Sequence, residues 1–535
     1  DVGGLVSNIY QSLDSDFGNY SGAILGSATD ESQYSYTGNA IETFYNGSWS
    51  PVNAQSSMWT SSYKAIANCN NYLEEFTGLT FSEYEQISDY EAEMYRYNNY
   101  QYEVRFLRAY FYFNLVRQYG DVPFTDHVLS TSEVNTLTRK PAQEVFDWII
   151  KECDEIKDLI IPDYNNLGAL VPAGESAETG RANKRTVLAL KARTALYAAS
   201  PLFNSHHEGS QEYKELWYRA AKANKDVIET CEEAGMRLID DYENLWDAKS
   251  YSSAIDELIF GCRAIRATNS FEKYNFPVGL ENCRGGNCPT QTLVDAYELK
   301  DGGERPDKKA DYDKNKPYYE GRDPRFEKTI AKNGDTKWPN WNETALETYQ
   351  GGANAEPLSG GTPTGYYLKK YCQTSINTTT AKPTTDNHTW IIYRLGEFYL
   401  NYAEALFKYL GTAYATNNEF PIPANEMVNK TRQRTKVNMP KFPAGLNNQL
   451  WWEKYQNERM VELAFEGHRF WDVRRWKEGD KHFSSIDEMK IYKSGDSYSY
   501  RRVTVDRQWD DKMYFFPIPQ SEKAKNPNLT QNPGW

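Results

Sequence analysis

"NKRTVLALKARTALYAAS" at residues 183–200 and "YKELWYRAAKANKDVIETCEEAG" at 213–235 decide how this chain is built. The first is a small-residue helix, with alanines where a second helix can approach closely, and Pro201 halts it. The second ends at Gly235, a residue suited to the left-handed turn that closes a helix. Together they read as an antiparallel helix pair, and the pattern repeats outward. "SMWTSSYKAIANCNNYLEEF" (57–76) sets Tyr63, Ile66, Ala67, Asn70 and Leu73 on one stripe of period 3.6. The stretch from about Ser82 to Tyr119 is apolar over more than one face, with Gly120 as its stop and Pro123 just beyond. Pro141 opens the next helix, which runs through Val145, Trp148, Ile149 and Ile156 to Pro162. Stacked helical hairpins of the tetratricopeptide type read this way, with insertions blurring the period.

The middle differs. Residues from about 240 to 389 are rich in Gly, Pro, Asn and Thr, with strand-like pieces such as "ELIFGCRAI" (257–265) and loops such as "GGANAEPLSGGTPTG" (351–365). Loops of that length inside a folded body usually carry function. A helical pattern resumes with "TWIIYRLGEFYLNYAEALFKYL" (389–410) and continues through "WWEKYQNERMVELAFEGHRFWDVRRW" (451–476). "YFFPIPQSEKAKNPNLTQNPGW" (514–535) is too apolar for a disordered tail and too broken for a helix, so it reads as an extended strap. The expected fold is mainly α: a tetratricopeptide-like helical-hairpin scaffold with an inserted loop-rich mixed α/β lobe. The expected organisation is one domain, with scaffold at about 1–239 and 390–480, lobe at about 240–389 and strap at about 481–535.

Composition narrows the function. The 535 residues carry 60 Lys and Arg against 74 Asp and Glu, a net charge of −14. An acidic surface repels phosphate backbones, which argues against nucleic acid as the partner. Mean hydropathy is −0.77, and no apolar run approaches the roughly 18 residues of a spanning helix. Aromatics are plentiful: 14 Trp, 23 Phe and 41 Tyr. Their rings serve equally in a core or on a wet recognition surface. Asp1 opens the chain with no Met and no apolar leader, so a trimmed, mature form of an exported protein is expected.

Seven cysteines do not form a small-protein disulfide framework at this length. Cys69, Cys153, Cys231 and Cys262 sit among apolar residues and read as buried thiols, whereas Cys283 and Cys288 flank a glycine-rich loop. A loop-pinning disulfide and two free thiols are both open there. No metalloprotease, phosphate-loop, nucleophile-elbow or dinucleotide motif is present, and the six histidines are scattered. Calcium is the one cofactor left open, through "ADYDKNK" (310–316), which lacks the spacing of an EF-hand. One acidic group has geometry: Glu458, Glu462 and Glu466 fall at i, i+4 and i+8, lining one helix face that needs cations to answer it. Arg105 and Arg108 stand at matching spacing, and at least one is expected to pair with Glu462 or Glu466.

"YEVRFLRAYFYFNLVRQYGDVPF" (102–124), "NERMVELAFEGHRFWDVRRW" (457–476) and the closing "FFPIPQSEKAKNPNLTQNPGW" resemble the SusD/RagB family of glycan-binding outer-membrane lipoproteins. "LVSNIYQSL" (5–13), "WTSSYKAIANCNNYL" (59–73) and "GRDPRF" (321–326) resemble its N-terminal helices and mid-chain signature, so the likeness runs the length of the chain. The resemblance implies a tetratricopeptide-like scaffold and no enzymatic activity. It implies lipid anchoring, through a cysteine upstream of Asp1, on the extracellular face of a Bacteroidetes-type outer membrane. There such proteins cap a SusC-type TonB-dependent transporter and deliver captured oligosaccharide or polysaccharide to it.

Sugar recognition suits the composition. Tyr and Trp stack on the C–H face of a sugar ring, while Asp, Asn and Arg bond its hydroxyls. By the family's pattern, the expected ligand residues are Trp49 in "NGSWSPVN" and Tyr318, Tyr319, Trp338 and Trp341 either side of "GRDPRF". Asp30 in "ATDESQY" joins them as a hydroxyl acceptor, and "KWPNWNET" (337–344) is the leading stretch. Two alternatives stay open. A peptide or other non-glycan nutrient would be marked by a deep, enclosed, mainly polar groove. A glycoside hydrolase would need two carboxylates about 5–10 Å apart across a cleft.

Overall fold

The computed structural model describes residues 2–247, 255–263 and 266–535. The first six described helices are α1 (Val2–Tyr10), α2 (Ser57–Glu75), α3 (Tyr90–Tyr119), α4 (Ala142–Ile156), α5 (Lys184–Ala199) and α6 (Gln211–Glu233). Asn183 and Thr186 close a reciprocal capping box at α5, Ser210 accepts from the Tyr213 amide at α6, and Gly120 ends α3 at φ 73°. The next three helices, α7 (Ser270–Asn275), α8 (Gln291–Ala296) and α9 (Arg325–Thr329), are single turns in the lobe. The scaffold resumes with α10 (Leu395–Leu410), α11 (Ala424–Arg432) and α12 (Asn448–Glu462), followed by α13 (Arg469–Arg475), α14 (Gly479–Phe483) and α15 (Gln520–Lys525). Neighbours from α2 to α6 pack in sequence, α10 packs on α6, and α11 packs on α10. One row of stacked hairpins therefore spans both sides of the lobe, as the tetratricopeptide-like reading anticipates.

Among the described residues the strands form five antiparallel pairs: β1 (Ser32–Tyr34) with β5 (Asn287–Pro289), β2 (Val122–Pro123) with β3 (Arg139–Lys140), β4 (Leu258–Cys262) with β8 (Trp390–Arg394), β6 (Ile330–Ala331) with β7 (Tyr367–Leu368), and β9 (Ser485–Ser494) with β10 (Ser497–Asp506).

Several local readings change. α2 buries Trp59, Ser62, Ala65, Ile66, Cys69, Asn70 and Tyr72, while Ala67 faces solvent, because the two bulky rings set which face turns inward. "TWIIYR" is strand rather than helix: β8 is buried at all five positions, a fit for its aromatic and β-branched residues. "ELIFGCRAI" supplies its partner over 258–262, and residues 264 and 265 lie outside the described residues. Within 481–535, a hairpin from Ser485 to Asp506 precedes the extended end. That end is pinned to the scaffold: the Phe516 amide donates to Gln118 O, and Asn532 Nδ2 donates to Tyr119 O.

The three glutamates do not share one helix. α12 stops at Glu462, and positive φ at Phe465 (61°) and Gly467 (79°) turns the chain so that Glu466 returns toward the same interior. Nor do Arg105 and Arg108 reach them. Arg105 pairs with Glu152 and Glu155, and Arg108 with Glu152, because α4 packs directly against α3. Arg325, from "GRDPRF", meets Asp323, Glu458 and Glu462 at 2.7 Å each. Arg394 joins Glu257, Glu462 and Glu466; Arg434 joins Glu257 and Glu462; Lys370 meets Glu466 at 2.8 Å. Arg432 links Glu458 to Glu298, which also holds Lys454. Six carboxylates thus meet six cations in one connected, buried and electroneutral network that ties lobe to scaffold.

Cys283 and Cys288 are separate thiols; Cys283 Sγ lies 3.1 Å from Thr378 Oγ1. In "ADYDKNK", Asp313 Oδ1 accepts from the Asn315 amide and Asp311 lies 3.8 Å from Lys309, and among the described residues no three His, Cys, Asp or Glu side chains are grouped as a metal site needs. Among the described residues no helix is long and apolar enough to cross a membrane.

Candidate functional site

Of the six expected ligand residues, Trp49, Trp338 and Asp30 are buried, and Trp341, Tyr318 and Tyr319 are partly exposed. Trp49 is 3% exposed, wedged between Phe44, Phe516 and Trp535 at 4.7–5.1 Å. Trp338 is 5% exposed and meets Phe276 edge-on at 5.3 Å, because Phe276 arrives from α7 to cover the loop. Trp341, half-buried, donates its indole N–H to Ile376 O at 2.9 Å. Tyr318 stacks on Tyr312 at 5.9 Å, has Lys316 Nζ 5.0 Å from its ring, and accepts from the Asp313 amide. Tyr319 packs among Phe326, Tyr366 and Tyr500, and burial holds its hydroxyl well above the usual tyrosine range. Asp30 is buried, and both its oxygens accept from Arg469, at 2.9 and 2.8 Å. Burial alone would raise its carboxyl; the Arg469 charge outweighs that and holds it below the usual range.

The open aromatic surface lies where β1 and β5 meet α7. Tyr34 and Tyr36 leave β1 on one side, since side chains two residues apart share a face of extended chain. Tyr34 is buried beneath, with its ring 5.9 Å from that of Tyr36. Tyr274, the penultimate residue of α7, is exposed, and so is Arg284. The guanidinium carbon of Arg284 stands 5.2 Å from the Tyr36 ring and 5.3 Å from that of Tyr274, bridging the two by cation–π contact. Among the described residues no carboxylate is ion-paired with Arg284, and its guanidinium hydrogen-bonds the Tyr36 side chain.

The seat beneath is rigid. Tyr36 Oη donates to Arg284 O at 2.7 Å, the Arg284 amide to Lys273 O, and the Ser35 amide to Gly286 O. Asn287 saturates its side chain below: Nδ2 donates to Gly22 O and Asn275 Oδ1, while Oδ1 accepts from the Ile24 amide and Ser27 Oγ. Gly360 (φ 81°) passes so close that a Cβ there would stand 2.1 Å from Arg284 O and 2.3 Å from Tyr36 Oη. Only glycine fits that crossing. Asn282, exposed beside the platform, donates Nδ2 to Thr378 O and Thr380 Oγ1, leaving its carbonyl oxygen free for a ligand. Segment 376–378 thereby joins Trp341 to the platform's edge.

Two stiff rings, a cationic donor between them and an amide acceptor alongside can hold a sugar's C–H face and its hydroxyl rim together. Tyr36 and Tyr274 escape sequence reasoning because Arg284 joins them across 248 residues of chain. The spacing of Tyr34 and Tyr36 behind "ATDESQ" is the one local sign.

Comparison with known proteins bears on the chain as a whole. The SusD family model matches residues 257–535, and a model described as starch-binding associating with outer membrane matches residues 5–196. A SusD-like protein of Formosa agariphila is 24% identical over 490 residues, covering 90% of this chain and 80% of that one. The crystal structure of a SusD-like protein from Bacteroides fragilis aligns at TM-score 0.78 and 25% identity, over 100% of this chain and 96% of that one. A SusD-like carbohydrate-binding protein from the same species aligns at TM-score 0.76 and 23% identity, over 99% and 98% of the two chains.

Proposed function

We propose, from the premise that this chain belongs to the SusD family, that it binds oligosaccharide or polysaccharide on the Tyr36–Arg284–Tyr274 platform and passes it to a SusC-type TonB-dependent transporter. The observation that carries this reading is a pair of rings, Tyr274 exposed and Tyr36 partly exposed, bridged by Arg284 and held by hydrogen bonds from the chain beneath. A preformed platform loses little entropy on binding, which suits capture of a flexible chain. The starch-binding description of the model matching residues 5–196 supports both the ligand class and a place at the outer membrane. The lipid anchor, the extracellular face and the transporter partner follow from the family likeness. On this reading the protein holds glycan without cleaving it.

Calorimetry against a panel of polysaccharides tests the ligand class. The platform is tested by Tyr36→Ala and Tyr274→Ala in the same titration. Loss of binding with an unchanged melting temperature supports it, and unaltered binding in both variants refutes it. Co-purification of the protein with its transporter from the native membrane tests delivery; repeated failure to recover the pair would remove that part.

A further inference from the structure

A second cleft, of about 710 Å³, opens beside α12, away from the tyrosine platform. That volume lies within the range of small-ligand sites. Its floor is the Asp30–Arg469 pair. Arg469 is 6% exposed, and its Nε and Nη2 are committed to Asp30. Its Nη1 has no acceptor among the described residues, so a guanidinium already fixed in place has a spare donor beside the cleft.

The walls are charged but balanced. Arg305 pairs with Asp307 at 2.9 Å, and Glu298 holds Lys454. Asn457 is locked between them, donating to Ala296 O and accepting from Arg305. Glu304 and Glu453 on the rim are offset by Lys308 and Lys481. An ionic ligand would meet a countercharge already satisfied, whereas a neutral one that both donates and accepts finds partners on every side. Leu450 and Met460 add apolar surface at the two ends of the α12 wall, about 15 Å apart, with Glu453 and Asn457 between them.

We infer that this cleft is a second binding site for a short, uncharged oligosaccharide, its hydroxyls meeting Arg469 and the paired charges and its C–H face lying on Leu450 and Met460. The inference rests on the glycan-binding reading but names a different place. Asp30 and Tyr36 flank β1, six residues or at most about 20 Å of extended chain apart.

The test uses the full chain and five neutral trisaccharides (maltotriose, laminaritriose, cellotriose, xylotriose and mannotriose), with the dipeptide Ala-Leu as a zwitterionic probe. Each is titrated into wild type, the Tyr36→Ala/Tyr274→Ala variant and Leu450→Trp, whose added ring fills the mouth of the cleft from a half-exposed position. We expect at least one trisaccharide to bind the platform variant, and that residual binding to fall at least about tenfold when Leu450→Trp or Lys481→Ala is added. Residual binding indifferent to both additions overturns the cleft. So does a cleft that takes Ala-Leu and no sugar, or a platform variant that binds no trisaccharide. Binding lost in Leu450→Trp but untouched in the platform variant would instead overturn the platform and leave the cleft standing.

Discussion

Replacing Arg325 with alanine should cost the fold about 3–5 kcal/mol, the range for breaking a buried ion pair. The guanidinium is fully buried and meets three carboxylates at 2.7 Å. Without it Glu458 keeps Arg432, and Glu462 keeps Arg394 and Arg434, but Asp323 loses the one cation it pairs with among the described residues. Five cations would then face six carboxylates, of which Asp323, Glu458 and Glu462 are buried. Unfolding entropy of about 2.1 cal/mol/K per residue gives about 1.1 kcal/mol/K for 535 residues. The expected fall in Tm is therefore about 3–5 °C if the chain unfolds as one unit. Scanning calorimetry reads the shift, and a urea titration reads the free energy. Acid adds a second readout. Burial acts to raise the Glu462 carboxyl, yet Arg434, Arg394 and Arg325 outweigh it and hold it far below the usual range. A depressed folded-state value contributes stability that is present above the unfolded value of about 4.3 and lost as pH falls below it. Arg325→Ala should shrink that acid-side loss. A Tm change under about 1 °C, with acid unfolding unaltered, would refute the reasoning.

Tyr274→Ala should weaken binding of the cognate glycan by about 1–3 kcal/mol, on the scale of base–aromatic stacking, with Tm unchanged; calorimetry and a melt check both halves. Trp338→Ala should destabilise by about 3–5 kcal/mol through the cavity left beside Phe276, with affinity per folded molecule preserved; normal stability would return that ring to the list of ligand contacts. Glu31 supplies a pH signature. Burial, and then the charge of Asp30, push its carboxyl up to about 8. Its protonated form is favoured in the folded state, so stability is greatest below the unfolded value of about 4.3 and declines as pH rises to about 8. Glu31→Gln should flatten the Tm profile between pH 5 and 8, and an unchanged slope would count against that assignment.

The helical hairpins are legible in the sequence because their signals are local: Asn183 and Ser210 cap, Gly120 and Gly235 stop, and alanines mark close packing. Ring burial is not local. "KWPNWNET" looks like a polar loop until Phe276 from another segment closes over Trp338. The partners of Glu462 are equally remote, at Arg325, Arg394 and Arg434, whereas Arg105 and Arg108 answer the neighbouring helix. Helical spacing shows which side of a helix a charge takes, not which element packs there. The β9–β10 hairpin had a readable sign, since Tyr498, Tyr500 and Arg502 alternate after Gly495. An apolar, proline-rich ending masks it.

The electroneutral network also sets the terms for exchanging lobes between relatives. A chimera that grafts another lobe onto this scaffold, cutting at the loops either side, removes Glu257, Glu298, Asp323, Arg325 and Lys370 together and leaves the scaffold's Glu458, Glu462 and Glu466 to be answered by the donor. A donor segment with its arginine one position out of register would present the right charge in the wrong place, and the hybrid would be less stable than either parent. The transferable unit is therefore larger than the recognition loops. It includes "GRDPRF" and the lysine at 370, whose charges are the seam along which the two parts of the molecule are joined.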